Sequence, residues 1–324
     1  MASSAVTELH VVFGAGQVGQ PLARLLLDAG KRVRVAKRSP GGVPPGADVI
    51  QGDATDAAFC ADAAEGAATI YHCMNPPYDT RRWAELVPRW MDNLIAAARR
   101  SGARLVVLDN VYMLGRPGGR RLDEDSPVNP NSRKGEIRAR AAERLFDAHR
   151  RGELLATAGR ASDYYGPGGT LTHVGDQFWR PALKGRRAWV LANPDAVHTY
   201  HYIPDVAAGL MTLGGAAADV YGQPWMLPCA PAETMRTLVA RFSRELGREI
   251  RLAVAPRWLV KAMGIFVPLV REVEEMSYQW DEPFVIDDRR FRQRFQQQPT
   301  DVDEAALATV RWARQHYATG HGGG

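Results

Sequence analysis

Three glycines, Gly14, Gly16 and Gly19, lie between the apolar run Leu9–Phe13 and a helical pattern that begins at Gln17. Their spacing suits a diphosphate. Gly14 permits a tight turn out of a strand, Gly16 has no β-carbon to keep a pyrophosphate off the main chain, and Gly19 lets the next helix pack close. The helix entered through Gln17 and Val18 then turns its free N–H groups, and roughly half a positive charge, toward the phosphates. A purely structural glycine turn is the competing reading. The position between a first strand and a first helix favours dinucleotide binding.

The end of the second strand bears on which dinucleotide. It reads Val35-Ala36-Lys37-Arg38-Ser39, with no carboxylate to take a ribose 2′-hydroxyl. Two cations there suit a 2′-phosphate, and Arg38 has the fork to bind it in two places. NADP is therefore expected ahead of NAD, against the alternative of a solvated basic turn. Asp53, in Gly52-Asp53 after the third strand, is expected either to accept from the adenine amino group or to cap the helix that follows. Asn75 and Tyr78, in Met74-Asn75-Pro76-Pro77-Tyr78 after the fourth strand, are expected to line the same cleft, Asn75 on cofactor and Tyr78 on substrate, with a simple turn as the alternative.

These positions need a scaffold that presents strand ends in a row. Strands are expected at Leu9–Phe13, Val33–Ala36, Asp48–Gln51, Thr69–Cys73, Arg104–Leu108 and Leu154–Ala158. Helices are expected at Gln17–Ala29, Asp56–Ala64, Arg81–Arg100 (bent or broken at Pro88) and Ser132–Arg151. Strict alternation of the two implies an α/β, Rossmann-type doubly wound parallel sheet. After Arg160 the rhythm changes to short strands and helices, among them Trp225–Leu227, Ala232–Leu246, Arg257–Phe266 and Asp301–Gln315. The expected division is a dinucleotide-binding domain at 1–165, rejoined by 186–215. A smaller, mainly helical substrate region takes 166–185 and 216–318, and 319–324 is a disordered tail.

Composition bounds the function classes. The chain has 324 residues, 45% hydrophobic and 24% charged, with a net charge of +5. The basic residues are dispersed, so no nucleic-acid partner is expected. Cys60, Cys73 and Cys229 form no Cys-x-x-Cys pair, which suits a reducing compartment, and Cys73 in its apolar run reads as a buried small hydrophobe. The N-terminal Met-Ala-Ser-Ser-Ala-Val lacks a charged, then apolar, leader pattern, and no apolar run approaches a membrane span; a cytoplasmic protein without a membrane partner is expected. The apolar stretch Trp258–Val270, interrupted by Lys261 and Pro268, reads as an amphipathic or buried helix. His198 and His201 lack a metal-ligand set, so no metal is expected, and Ser162 lies in no nucleophile elbow.

Five segments in order carry a resemblance: Gly-Ala-Gly-Gln-Val-Gly at 14–19, Gly52-Asp53, Asn110-Val111-Tyr112, Gly159 to Gly168 (Gly-Arg-Ala-Ser-Asp-Tyr-Tyr-Gly-Pro-Gly), and Tyr-His-Tyr-Ile-Pro-Asp-Val-Ala at 200–207. Over about the first 215 residues the chain resembles an atypical or extended short-chain dehydrogenase/reductase of the NAD-dependent epimerase/dehydratase type. The resemblance implies hydride transfer between a nicotinamide and a carbonyl or alcohol carbon of a small organic substrate, and a homodimer.

The chain departs from that family at the chemistry. The family's Tyr-x-x-x-Lys is absent: Lys134 stands at the lysine position, but Pro130 occupies the tyrosine position, and Asp109 and Asn110 replace the Ser/Thr that ends the fifth strand. Poising a phenol of pKa about 10 near neutrality takes about 4 kcal/mol. A cation at ~4 Å, with an effective dielectric of ~20, supplies about that much. The resemblance gives Lys134 that charge and a hold on the nicotinamide ribose. The phenol then comes from a loop: Tyr112 first, with Tyr165, Tyr200 and Tyr202 as alternatives that otherwise contact substrate. Asn110 is expected either to orient substrate or to cap the loop, and Ser162 to meet the nicotinamide amide. Two other readings follow from the missing tyrosine: an NADP-sensing regulator of the NmrA-like kind, and a redox-neutral lyase or isomerase with a tightly held cofactor.

Overall fold

The first strand, β1 (Leu9–Phe13), is buried along its whole length, as a strand covered on both faces must be. In the computed structural model, which describes residues 7–190, 193–254 and 267–318 (268 and 269 by backbone alone), β1 sits inside a sheet of seven strands. The others in chain order are β2 (Arg32–Lys37), β3 (Asp48–Gln51), β4 (Ala67–His72), β5 (Arg104–Asp109) and β6 (Ala156–Arg160), then the late strand Pro224–Met226. Across the sheet the order is Pro224–Met226, β6, β5, β4, β1, β2, β3, and every pairing is parallel. The α/β, doubly wound architecture read from the sequence is the one observed. The late strand adds a seventh ribbon that the sequence pattern places outside the sheet.

The helices between strands follow their apolar stripes. Helix α1 (Gly19–Asp28) buries Leu22, Ala23 and Leu26. Helix α2 (Ala57–Ala63) is capped by the Asp56 carboxylate, which accepts from the Ala58 amide. Helix α3 (Thr80–Ser101) is capped by Asp79 at its start and ends at left-handed Gly102. It runs unbroken through half-buried Pro88, contrary to the expected interruption. Its buried stripe, Trp83, Leu86, Val87, Trp90, Met91 and Leu94, packs into the core that also takes Leu145 from helix α4 (Arg133–Arg150). This packing outweighs the one backbone hydrogen bond a proline removes.

The chain divides into two compact units. The first comprises 1–113, 133–160 and 206–227; the second comprises 114–132, 161–205 and 228–324. Residues 114–132, 161–165 and 186–205, assigned by sequence to the nucleotide-binding region, fall in the second unit. Residues 216–227 fall in the first, because Pro224–Met226 pairs with β6. The second unit is built on short paired strands: Asp163–Tyr165 with Tyr200–Tyr202, Val197–His198 with Glu233–Thr234, and Ala188–Val190 with Leu252–Val254. Helices Asp176–Leu183, Met235–Leu246 and Val302–Ala318 close a core around Phe178, Trp179, Phe242 and Val310. The helix expected at Arg257–Phe266 and the tail 319–324 lie outside the described residues.

Candidate nucleotide and catalytic site

The glycine turn opens at the end of β1. Gly14 has φ +94° and donates its amide to the Ala36 carbonyl, tying the turn to β2. A β-carbon on Gly19 would lie 1.8 Å from the Gly14 carbonyl oxygen, so only glycine lets α1 begin there. A β-carbon on Gly16 would meet no atom within 4 Å. The helix starts at Gly19, with Val18 in the capping position, two residues later than expected. It has no side-chain cap and no acidic residue in its first turn. Open space at Gly16 in front of uncapped amides is the shape and charge a diphosphate requires, so the residues present fit a dinucleotide. Gln17 and Val18 form the connection between Gly16 and the helix.

Beside this turn, Lys37 ends β2 and donates its ammonium to the Gly41 carbonyl, folding the Ser39–Gly42 loop back on itself; Arg38 is exposed. Asp53 is exposed and accepts from the Thr55 amide at 2.8 Å. That bond, aided by Arg38 and Arg89, holds its carboxyl below the usual range. Asp56, not Asp53, is the helix cap.

The loops after β4 and β5 meet α3 and α4 in a row of rings and cations. Tyr78 stands edge-on to Trp83 with ring centroids 6.0 Å apart, and Tyr112 stacks on Trp83, also at 6.0 Å. Lys134, wholly buried in the first turn of α4, places its Nζ 4.7 Å from the Tyr78 ring centroid and donates to Thr80 Oγ1 at 3.0 Å. One turn further, Arg138 lies over the Trp83 ring at 4.8 Å and donates to Asn75 Oδ1 at 2.7 Å. Arg138 Nη1 is 3.8 Å from Asp109 Oδ1, and Arg160 Nε is 3.6 Å from Asp109 Oδ2, all three residues being buried. Asn110 uses its Oδ1 to accept from the Tyr112 amide at 3.0 Å, starting the single turn Tyr112–Leu114.

Thus Lys134, Tyr78, Tyr112, Asn110 and Asn75 come together in the first unit. The glycine-turn residues, Lys37, Arg38 and Asp53 belong to the same unit, whereas Ser162, Tyr165, Tyr200 and Tyr202 belong to the second. Ser162 is buried, donates its hydroxyl to the Thr199 carbonyl at 2.5 Å, and sits 3.1 Å from His201 Nδ1. Tyr165 and Tyr202 pack ring to ring at 5.4 Å, and Tyr200 lies 4.8 Å from His198. Burial pushes all three phenols up, Tyr202 to about 12. His198, expected in a loop or substrate contact, instead lies buried with Nε2 3.0 Å from Asp163 Oδ2, which also accepts from the Trp280 indole. Burial opposes ionisation of Asp163, but His173, His198 and Trp280 together hold its carboxyl below the usual range. Among the described residues no His/Cys/Asp/Glu group could hold a metal, and no helix is long and apolar enough to cross a membrane. Cys60 and Cys229 are buried, whereas Cys73 is half-buried; burial pushes the Cys60 and Cys73 thiols up to about 12.

Sequence reading missed Thr80, Trp83 and Arg138. Arg138 was legible in principle, four residues after Lys134 and therefore on the same helix face. Thr80 and Trp83 were hidden because they meet α4 only in space.

A parallel sheet whose first turn fits a diphosphate defines a dinucleotide-binding protein. Residues 10–221 match the family described as "NAD dependent epimerase/dehydratase family", and the chain belongs to that family. A 3 beta-hydroxysteroid dehydrogenase/Delta 5-->4-isomerase of Mycobacterium tuberculosis is 37% identical over 121 residues. The match covers 32% of this chain and 32% of that relative, so the chain spans about a third of its length. The fold is shared with UDP-glucuronic acid 4-epimerase from Bacillus cereus, solved with UDP-glucuronic acid and NAD. There the TM-score is 0.78 at 14% identity, covering 95% of this chain and 100% of that one. UDP-glucose 4-epimerase of Thermus thermophilus, solved with NAD, gives 0.75 at 18% identity, covering 94% and 99%.

Proposed function

We propose that this chain is a nicotinamide-dependent enzyme that moves a hydride between the cofactor and a carbonyl or alcohol carbon of a small organic substrate. The single observation that carries the reading is the turn at Gly14, Gly16 and Gly19, open at Gly16 and followed by helix amides without a side-chain cap. When bound, the nicotinamide supplies the hydride acceptor or donor. The chain's own residues do the rest. The Gly16 main chain and the start of α1 hold the diphosphate, and Lys37 and Arg38 take a 2′-phosphate, so NADP is preferred to NAD. Asp53 reaches the adenine side, Asn75 the ribose, and Lys134 the nicotinamide ribose. The proton carrier is one of the two phenols flanking Trp83, Tyr78 or Tyr112, while Asn110 holds the Tyr112 turn in place.

In the second unit, Ser162, Tyr165, Tyr200 and Tyr202 are proposed to shape the surroundings of the nicotinamide amide and the substrate. The relatives' substrates, sugar nucleotides and a steroid, are the two classes to assay first. Calorimetry with NADPH and NADH tests the reading: micromolar binding of either, tighter for NADPH, is expected, and no heat from any of the four pyridine nucleotides overturns it. The absence of Tyr-x-x-x-Lys favours a second reading, nucleotide sensing without turnover. It predicts binding with no NADPH oxidation across a panel of UDP-sugars and ketosteroids.

A further inference from the structure

We infer that Tyr78, from the loop between β4 and α3, is the phenol that exchanges a proton with the substrate oxygen, supported by Lys134 and Thr80. The inference rests on the hydride-transfer reading above and goes beyond it by naming the proton carrier.

Three contacts carry it. Lys134 is wholly buried and its ammonium lies 4.7 Å from the Tyr78 ring centroid. The Thr80 hydroxyl accepts from the same ammonium at 3.0 Å and holds it there. A buried cation this close stabilises a phenolate more than a phenol, since charge is little screened away from water. The Trp83 ring packs against the Tyr78 ring at 82° between planes, with centroids 6.0 Å apart. Tyr112 is differently held. It stacks flat on Trp83, 16° from parallel, and its amide is bonded to Asn110; the cation above the Trp83 ring is Arg138, which also donates to Asn75. Tyr78 and Tyr112 are both half-buried, so it is the cation beside each ring, not exposure, that separates them.

The step balances without another reactant. In the oxidising direction the substrate O–H bond breaks and its proton goes to the Tyr78 phenolate oxygen. The C–H bond breaks with its electron pair, which passes as hydride to the nicotinamide, and the carbon–oxygen double bond forms. Reduction runs the same transfers in reverse, with the Tyr78 phenol giving up its proton.

The test does not require the substrate. The full-length protein is titrated from pH 6 to 11 by phenolate absorbance, with and without NADP⁺. Burial pushes Tyr71, Tyr165, Tyr200, Tyr202, Tyr221 and Tyr317 up, so they stay silent through the lower part of that range. One early phenolate step is expected. Tyr78→Phe, which keeps the ring, should remove it. Thr80→Val should move it upward, and Lys134→Met should raise it by at least about one pH unit, a tenfold change in ionisation constant. Tyr112→Phe should retain it. Retention of the step in Tyr78→Phe overturns the inference, whether Tyr112 or another tyrosine then carries it, as does the absence of any early step in protein that binds NADPH. If Lys134→Met fails to fold, the two tyrosine variants and Thr80→Val still decide. Failure of the underlying reading shows separately, as an early Tyr78 step in protein that binds no nicotinamide nucleotide.

Discussion

At Gly16 a methyl group would meet nothing within 4 Å, whereas at Gly19 it would strike the Gly14 carbonyl oxygen. The two glycines are therefore separable by mutation. Gly16→Val should abolish NADPH binding in calorimetry while the melting temperature stays close to that of the parent, because the added carbons enter space reserved for ligand. Retained affinity would remove the basis for the phosphate site. At the end of β2, Lys37 spends its ammonium on the Gly41 carbonyl and Arg38 projects into solvent. Charge-assisted hydrogen bonds contribute about 1.5–3 kcal/mol, roughly 10- to 100-fold in affinity. The paired substitution Lys37→Ala and Arg38→Ala should weaken NADPH by that factor and NADH by far less. Equal weakening would count against recognition of a 2′-phosphate.

Strand β4 and helix α4 meet the site through groups whose charge state matters. His72, at the end of β4, accepts from the Met74 amide through Nδ1 at 3.2 Å. Burial, with the Arg138 charge nearby, lowers its pKa to about 3. A histidine neutral in the fold and near 6.5 when unfolded binds its proton only on unfolding between those values. Stability from this residue is then complete above about pH 6.5 and lost as pH falls toward 3. His72→Asn, which keeps an acceptor, should flatten the acid side of the stability profile by up to about 1.4 kcal/mol per pH unit in urea titrations. An unchanged slope would show that His72 does not titrate with unfolding. On α4, Arg138→Met leaves Asp109 buried with the Arg160 guanidinium still beside it. Breaking a buried pair costs about 3–5 kcal/mol, and Arg160 offsets part of that, so about 2–3 kcal/mol is expected by denaturant unfolding.

These elements also mark how far the sequence was legible. The runs Leu9–Phe13 and Asp48–Gln51 read as strands to the residue, because short, largely apolar or turn-bounded segments leave few choices. A break at Pro88 is not seen, since local backbone rules do not weigh the stripe Trp83–Leu94 that keeps α3 continuous through it. At the site, the glycine turn was readable because its chemistry is local. The partnership of Lys134 with Tyr78 and Thr80 was not, because 54 positions separate Lys134 from Thr80 along the chain.

At the scale of the molecule, neither unit is a continuous piece of chain. The first needs 1–113, 133–160 and 206–227, and its outer strand Pro224–Met226 pairs with β6 while Leu210 and Leu227 lie against Gly159. A fragment ending at residue 165, the end of the first continuous stretch that the sequence pattern assigns to this domain, lacks all three. It should show no cooperative thermal transition by circular dichroism and should aggregate through the bared edge of β6. A sharp transition in that fragment would show the outer strand to be dispensable.

The late strand has a consequence for synthesis as well. During translation, β1 through β6 emerge first, yet the ribbon that covers β6 comes out only after about two thirds of the polypeptide has been made. Until then the nascent nucleotide-binding half carries an uncovered flank. A ribosome stalled anywhere between residues 165 and 220 should therefore display a nascent chain that chaperones hold and proteases cut, and release past residue 227 should end both.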